Sequence, residues 1–355
     1  MRILFARRDF LDVADGINAF LYPVMEALLQ AGHEVHLAGP VPVDREKLTD
    51  RFPSKLYPQF HHISTHRPPG WWADTSLWAR FWPKLVQTIQ PDRIVLNGVL
   101  PWRNSVPTLA INHDLQPRGG TLFARLVRIL GYRLAHARAA TCTELRQALA
   151  KNIFLPWKRI HLIPTCIRVS DFQPRFGEPK KPFILHIGTM PYKHPEKSIA
   201  AFRLAALANL RLVITGPVVP WLQEALAQES PNLQQRVDCL GVVASRQLRQ
   251  LLSEALAVVV PSGYDIPVLS PTVLESFASG APVICAPSIS RDLIRPTINC
   301  LVSAHPDETA AQLGALVRDV ELGPRLSRQA LADVAVFDSI PVAKKIMAVL
   351  ESLSP

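Results

Sequence analysis

The sequence predicts an α/β protein made of two doubly wound, Rossmann-like domains facing a central cleft. Three observations carry this prediction. Short, near-continuous apolar runs alternate with helical patterns along the chain, as parallel strands covered on both faces require. The alternation breaks once, in the Pro-, Gly- and Lys-rich stretch 173–182, and then resumes. The length of 355 residues suits two domains of ordinary size.

The first block carries candidate strands over 2–6, 34–39, 92–97, 108–113, 139–143 and 160–164. In the second they fall at 183–188, 211–216, 237–242, 257–260, 282–285 and 300–303. Helical periodicity fills many of the intervals, for example 17–31, 195–208 and 245–253. No internal repeat and no low-complexity segment interrupts the pattern.

Composition narrows the class. Hydrophobic residues make up 48% and charged residues 19%, as in a folded soluble protein with substantial cores. No uncharged apolar run reaches the roughly 18 residues of a transmembrane helix. The start, MRILFARRDF, reads as a first strand broken by charges rather than a secretory signal. Five scattered cysteines without CxxC spacing read as reduced thiols of a cytosolic protein. The net charge of +10 is uneven: residues 1–170 hold 22 Lys/Arg against 12 Asp/Glu, and residues 171–355 hold 17 of each. The first half is therefore expected to face something anionic: nucleic acid, a membrane surface or a phosphorylated substrate.

The segment 257–287, AVVVPSGYDIPVLSPTVLESFASGAPVICAP, concentrates the site signals. A buried strand ends at Pro261-Ser262, a loop follows, and Ser270-Pro271 starts a short helix carrying Glu275. Ser270 suits an N-cap and Pro271 the first helical turn. Helix starts at the carboxyl ends of parallel strands offer free N–H groups to anions. From there Glu275 can reach the hydroxyls of a sugar or ribose. The alternative is structural: Thr272-Val-Leu-Glu275 also fits a capping box. On the other half, the segment 121–138 places Arg125, Arg128, Arg133 and Arg138 among apolar residues, either a membrane-surface helix or a solvated basic face. Trp71 and Trp72, next to Trp78, Phe81 and Trp82, either stack on a sugar, meet a membrane interface or join the core. Asp-x-Asp triplets and Cys/His metal spacings are absent, as is a G-x-G-x-x-G dinucleotide fingerprint. Basic residues follow no nucleic-acid reading motif.

The 257–287 segment resembles the donor-binding signature of retaining glycosyltransferases of family 4: a Pro-Ser pair, a Glu, seven residues, a second Glu and Gly-x-Pro-Val. Further matches cover most of the chain in order. Asp15-Gly16-Ile17 and the segment 28–35, LLQAGHEV, are similar to the family's Gly-bearing first loop, first helix and second strand. His113-Asp114 and Thr143-Glu144 resemble its His-Asp and Ser-Glu positions. The segment 163–174, IPTCIRVSDFQP, is similar to its hinge, with Cys166 where Gly is usual. The segment 187–194, IGTMPYKH, resembles its donor loop, keeping Lys193 but placing Tyr192 at an Arg position.

The resemblance implies the GT-B architecture: an acceptor-side domain over 1–172, a nucleotide-sugar-binding domain over 173–338, and a C-terminal helix within 339–355 crossing back to the first. It implies a metal-independent retaining enzyme without a cofactor, moving a hexose from a nucleoside diphosphate sugar to a glycan, lipid-linked or small-molecule hydroxyl. Lys193, the backbone near Gly16 and Gly188, and the helix start at Ser270 to Thr272 would face the leaving diphosphate; otherwise Lys193 is a solvated loop lysine and Gly16 a turn glycine. Glu275 corresponds to the ribose partner. Counting forward from Pro261-Ser262 puts Asp265 in the first Glu slot, whereas counting back from Glu275 lands on Pro267. Either Asp265 holds the donor sugar or the backbone from Ile266 to Ser270 does. His113, Lys193 and Asp265 are thus the catalytic candidates, and Asp15, Trp71, Trp72 and His113 the acceptor-side ones. The alternative is a catalytically degenerate module that binds sugar nucleotide or a partner glycosyltransferase. Cytoplasmic placement with peripheral contact to the inner membrane face completes the expectation.

Overall fold

The structure is a computed structural model and describes residues 1–7, 16–40, 59–63, 71–113, 122–175 and 180–354. It divides into unit 1, Met1–Ile167 with Ser339–Pro355, and unit 2, Arg168–Asp338.

Unit 1 contains β1 (Arg2–Arg7), α1 (Gly16–Gln30), β2 (Glu34–Pro40), β3 (Phe60–Ile63), α2 (Trp71–Ile89), β4 (Arg93–Asn97), β5 (Thr108–Asn112), α3 (Leu122–Leu134), β6 (Ala137–Ala140), α4 (Thr143–Ile153) and β7 (His161–Leu162). The strands form one seven-stranded sheet in the order β3-β2-β1-β4-β5-β6-β7, paired in parallel throughout. The sheet is parallel because its strands are apolar on both faces: Ile3, Leu4, Phe5 and Ala6 of β1 are all buried. In α1, Phe20, Leu21, Val24, Met25 and Leu28 recur at helical spacing and form the core with β1 and β2.

Unit 2 contains β8 (Lys181–Ile187), α5 (Pro195–Ala205), β9 (Arg211–Thr215), α6 (Pro220–Ala227), α7 (Pro231–Gln234), β10 (Val237–Cys239), α8 (Ser245–Glu254), β11 (Ala255–Val260), α9 (Pro271–Ala278), β12 (Val283–Cys285), β13 (Leu301–Val302), α10 (Pro306–Arg318) and α11 (Leu322–Val334). Its six strands run in the order β10-β9-β8-β11-β12-β13, again parallel. The chain then returns to unit 1 as α12 (Ser339–Ser352). There Val342, Ala343, Ile346 and Leu350 join the α1 core, and Arg93 Nε and Nη2 donate to the terminal carbonyls of Leu350 (2.8 Å) and Leu353 (3.0 Å). A cation at a helix C-terminus is favourable twice over, by hydrogen bonding and by the helix dipole.

The passage between units lies at 167/168, five residues before the sequence-based boundary at 172. Ile163, Cys166 and Ile167 are buried in unit 1, whereas Val169 N donates to Asp338 Oδ2 at 2.9 Å, tying the two crossings together. Sequence periodicity misses β3, a four-residue edge strand. It also places Arg138 with the basic helix, but α3 stops at Leu134 and Arg138 lies in β6, bonded to the carbonyl of Ala135. Its burial beside Arg159 and Arg133 lowers its pKa. The aromatic cluster divides: Trp78 and Trp82 are core, their rings 5.5 Å apart, and Trp82 Nε1 donates to Asn104 Oδ1 at 2.6 Å. Trp71 and Trp72 open α2, and their side chains lie outside the described residues.

Candidate active site

Open α/β sheets bind ligands outside the carboxyl ends of strands, where the strand order reverses. In unit 2 that point lies between β8 and β11. Gly188 directly follows β8, with φ +95°, and a Cβ added there would meet Lys193 Cγ at 3.2 Å. Gly216, with φ +130° at the end of β9, approaches the same turn so closely that a Cβ would lie 3.0 Å from Thr189 N. The backbone angle favours glycine at both positions, and at Gly216 the neighbouring backbone crowds any side chain as well. The Lys193 side chain lies over Gly188, and its Nζ reaches to 3.5 Å from Thr272 Oγ1 at the start of α9. Lys193 is half-buried as a residue, but its ammonium is desolvated, which lowers its pKa to about 8 despite the opposing pull of the Glu275 carboxylate. Gly188, Lys193, Thr272 and Glu275 are thus gathered in one place.

The start of α9 is arranged unusually. Ser270 holds the N-cap position, as its sequence predicts, yet its side chain makes no capping bond. Its hydroxyl and that of Ser262, at the end of β11, are buried without a hydrogen-bond partner. Val273 N and Leu274 N both donate to Ser270 O at 3.1 Å, and Pro271 has no N–H. Thr272 N–H is then the first-turn amide left without an acceptor inside the helix. Each orphaned hydroxyl costs about 1–3 kcal/mol until something accepts or donates to it. Because the helix begins at Pro271, Thr272 is not its cap and Glu275 lies one turn in, so the capping-box arrangement is not formed. Asp265 is exposed and Ile266 half-buried in the loop between β11 and α9. That loop is pinned by Val268, whose N–H donates to Ser288 O and whose carbonyl accepts from Ser290 N.

Sequence reasoning missed His186, inside β8. Its Nε2–H donates to Gly188 O and its Nδ1 accepts from Ser198 Oγ, both at 2.8 Å, so the ring holds the turn at Gly188 in place. Burial lowers its pKa to about 4, so it is neutral. A polar residue in the otherwise apolar run FILHI is the signal that could have found it.

In unit 1 the strand order reverses between β1 and β4. Arg7 and Asn97, paired in register, end these strands. Arg7 donates to Asn18 Oδ1 in α1. His113, just past β5, has its Nε2 2.9 Å from Asn97 Oδ1 and its ring edge-on to Phe20 at 4.9 Å. Burial first, then Arg7, lowers its pKa to about 3. A neutral ring that donates through Nε2 keeps Nδ1 as an acceptor. The amide nitrogens of Asn97 and Asn112 are buried without partners. Gly16 is the first residue of α1, and Asp15 lies outside the described residues. Arg7, Asn18, Asn97 and Asn112 were not singled out from sequence, although Arg7, Asn97 and Asn112 are marked as polar residues ending apolar strands. Among the described residues, no group of three His, Cys, Asp or Glu side chains could hold a metal.

Family models match both halves: residues 181–319 match that of Glycosyl transferases group 1, and residues 14–171 match that of Glycosyltransferase Family 4. The chain belongs to the group 1 glycosyltransferases. Its fold is GT-B, as solved structures bear out. Anabaena HepE in complex with UDP-glucose is 17% identical, with a TM-score of 0.78 over 99% of this glycosyltransferase and 100% of that chain. The sucrose-phosphate synthase of Thermosynechococcus elongatus is 18% identical, with a TM-score of 0.78 over 99% of each chain. The lipopolysaccharide outer core galactosyltransferase WaaB is 13% identical, with a TM-score of 0.72 over 99% of each. No curated protein matches the glycosyltransferase significantly by sequence.

Proposed function

We propose that this glycosyltransferase is a retaining, metal-independent enzyme of family 4 that moves a hexose from a nucleoside diphosphate sugar to a hydroxyl acceptor. The carrying observation is the Lys193 ammonium, laid over Gly188 and reaching the start of α9, with Glu275 beside it. As the sugar–phosphate bond breaks, negative charge grows on the diphosphate. Lys193, Thr272 N–H and the Ser270 hydroxyl meet that charge without reorganising, which is where electrostatic catalysis gains most. Glu275 accepts hydrogen bonds from the ribose hydroxyls. Gly16, Gly188 and Ile266 complete the donor contacts through their backbone, and Asp265 takes the donor sugar. Unit 1 serves the acceptor, through Asp15, Trp71, Trp72 and the neutral His113, whose Nδ1 accepts from a hydroxyl. Uridine is the first base to test, because HepE was solved with UDP, with UDP and glucose, and with UDP-glucose.

The acceptor is further proposed to be lipid-linked or anionic, met at the inner membrane face by a peripheral, cytoplasmic enzyme. Leu126 and Leu130 of α3 and, beyond α4, Phe154 and Trp157 are exposed, and Arg146 stacks on Trp157 at 4.5 Å. Apolar side chains beside basic ones suit an interfacial helix. Among the described residues, no helix is long and apolar enough to cross a membrane.

Thermal-shift screening against UDP-, GDP-, ADP- and dTDP-linked hexoses, then donor hydrolysis and transfer with and without EDTA, tests the reading. One nucleotide series should stabilise the protein, turnover should survive EDTA, and the product anomer should match the donor. Binding without hydrolysis or transfer would favour the degenerate module, for which Pro267 near the first Glu slot speaks. No binding to any of the four would overturn both.

A further inference from the structure

Unit 2 carries a cavity of about 650 Å³ that no part of the donor chemistry uses. It opens at the other end of the sheet: Pro182 is the second residue of β8, Leu210 precedes β9, Leu256 is the second residue of β11 and Pro282 precedes β12. The seven residues of β8 separate it from Gly188 by roughly 20 Å. The volume lies within the ~300–1,000 Å³ of small-molecule sites.

Its wall is largely aliphatic, with Leu207, Leu210, Leu256, Leu316 and Val320 among the lining residues. Its charged lining residues are Arg175, Lys180 and Arg328, without a carboxylate. Lys180 Nζ donates to Ser253 O (2.6 Å) and Gly280 O (3.1 Å), which fixes the cation against the wall. Arg175 shares Glu254 at 3.4 Å, and Arg328 is exposed. Ser327 lines the same cavity; it is 2% exposed, and its hydroxyl has no hydrogen-bond partner. A serine in a helix ordinarily bonds back to a carbonyl one turn earlier; here the hydroxyl is buried and unused.

We propose that this cavity is a second ligand site, for a single-chain amphiphile with an anionic head, a fatty-acid-like molecule. The aliphatic wall takes the chain by the ordinary gain of apolar burial. The cations hold the carboxylate, and Ser327 donates to it. The site is independent of the donor reading, because it shares no residue with that site.

Calorimetric titration of the full chain with laurate below its micelle concentration, and with uncharged dodecanol, tests this. One laurate should bind per chain, more tightly than dodecanol. Arg328→Glu should weaken laurate roughly tenfold, the size of one charge-assisted contact, and leave dodecanol unchanged. Val320→Trp fills the cavity from a position that is 75% exposed, so it should fold normally and lose both ligands. Thermal unfolding of both variants checks the fold. No laurate binding to the wild type, equal affinity for laurate and dodecanol, or laurate binding untouched by both folded variants would overturn the proposal.

Discussion

Where the strand order reverses in unit 1, the chain presents Arg7 and Asn97, with Asn112 and His113 ending the next strand; in unit 2 it presents Gly188 and Ser262. The same topology thus frames two chemistries. Unit 1 fills the space with amides and a histidine kept neutral by burial and by Arg7. Unit 2 empties it with glycines, so that Lys193 and the α9 start occupy it instead. A neutral ring suits orienting a hydroxyl; a desolvated cation beside free N–H suits a diphosphate. The fold supplies the location, and a few side chains decide what each location can do.

The largest expected effect breaks unit 2. Lys193→Ala should lower turnover by about 100-fold or more, the cost of removing one transition-state charge partner, with a smaller change in donor binding. Single-turnover kinetics and donor titration separate the two, and full activity would remove Lys193 from the mechanism. The wild type should also lose UDP affinity as pH rises through about 8, where the free-site ammonium deprotonates, whereas Lys193→Ala should show a flat profile.

Acid is expected to strike both units. Burial lowers His186 to about 4 and His113 to about 3 from 6.5, so between those values and 6.5 the folded state binds fewer protons than the unfolded. Their stabilising contribution is complete above pH 6.5 and drains as pH falls. For His186, 1% exposed, the loss should approach about 3 kcal/mol near pH 4. Urea unfolding from pH 7 to 4 measures it, and His186→Asn should flatten the slope for unit 2 while leaving that of unit 1.

Glu275→Gln should weaken nucleotide binding about tenfold or more, since a neutral amide is a poorer acceptor for ribose hydroxyls. Unchanged affinity in a folded variant would leave Glu275 a structural residue. The smallest effect concerns the +10 charge that falls within residues 1–170. Arg125, Arg128 and Arg133 should each add roughly 1 kcal/mol near an anionic leaflet, screened within about 8 Å at physiological salt. Co-sedimentation with anionic and neutral vesicles at low and high salt reads this, and equal recovery would leave these arginines a solvated face.

Most strands and several helices were legible because their signals are local. Apolar runs such as RILFA and AVVV can only be buried on both sides, and Ser270-Pro271 can only start a helix economically. Ser270 and Glu275 stood out for the same reason, one capping and one following a helix start, whereas Gly188 and Lys193 stood out only through the family resemblance of the segment 187–194. What stayed hidden depends on partners distant in the chain. β3 is four residues long and gains its place only by pairing with β2. His186 reads as a stray polar residue until Gly188 O and Ser198 Oγ meet it. Ser270 reads as a capping residue until the helix closes on its carbonyl and strands its hydroxyl. Local propensity determined most of the strands and several of the helices. The protonation of Lys193 and His113, and which buried hydroxyls remain unmet, were decided by tertiary packing, because desolvation depends on everything around a group and not on its neighbours in sequence.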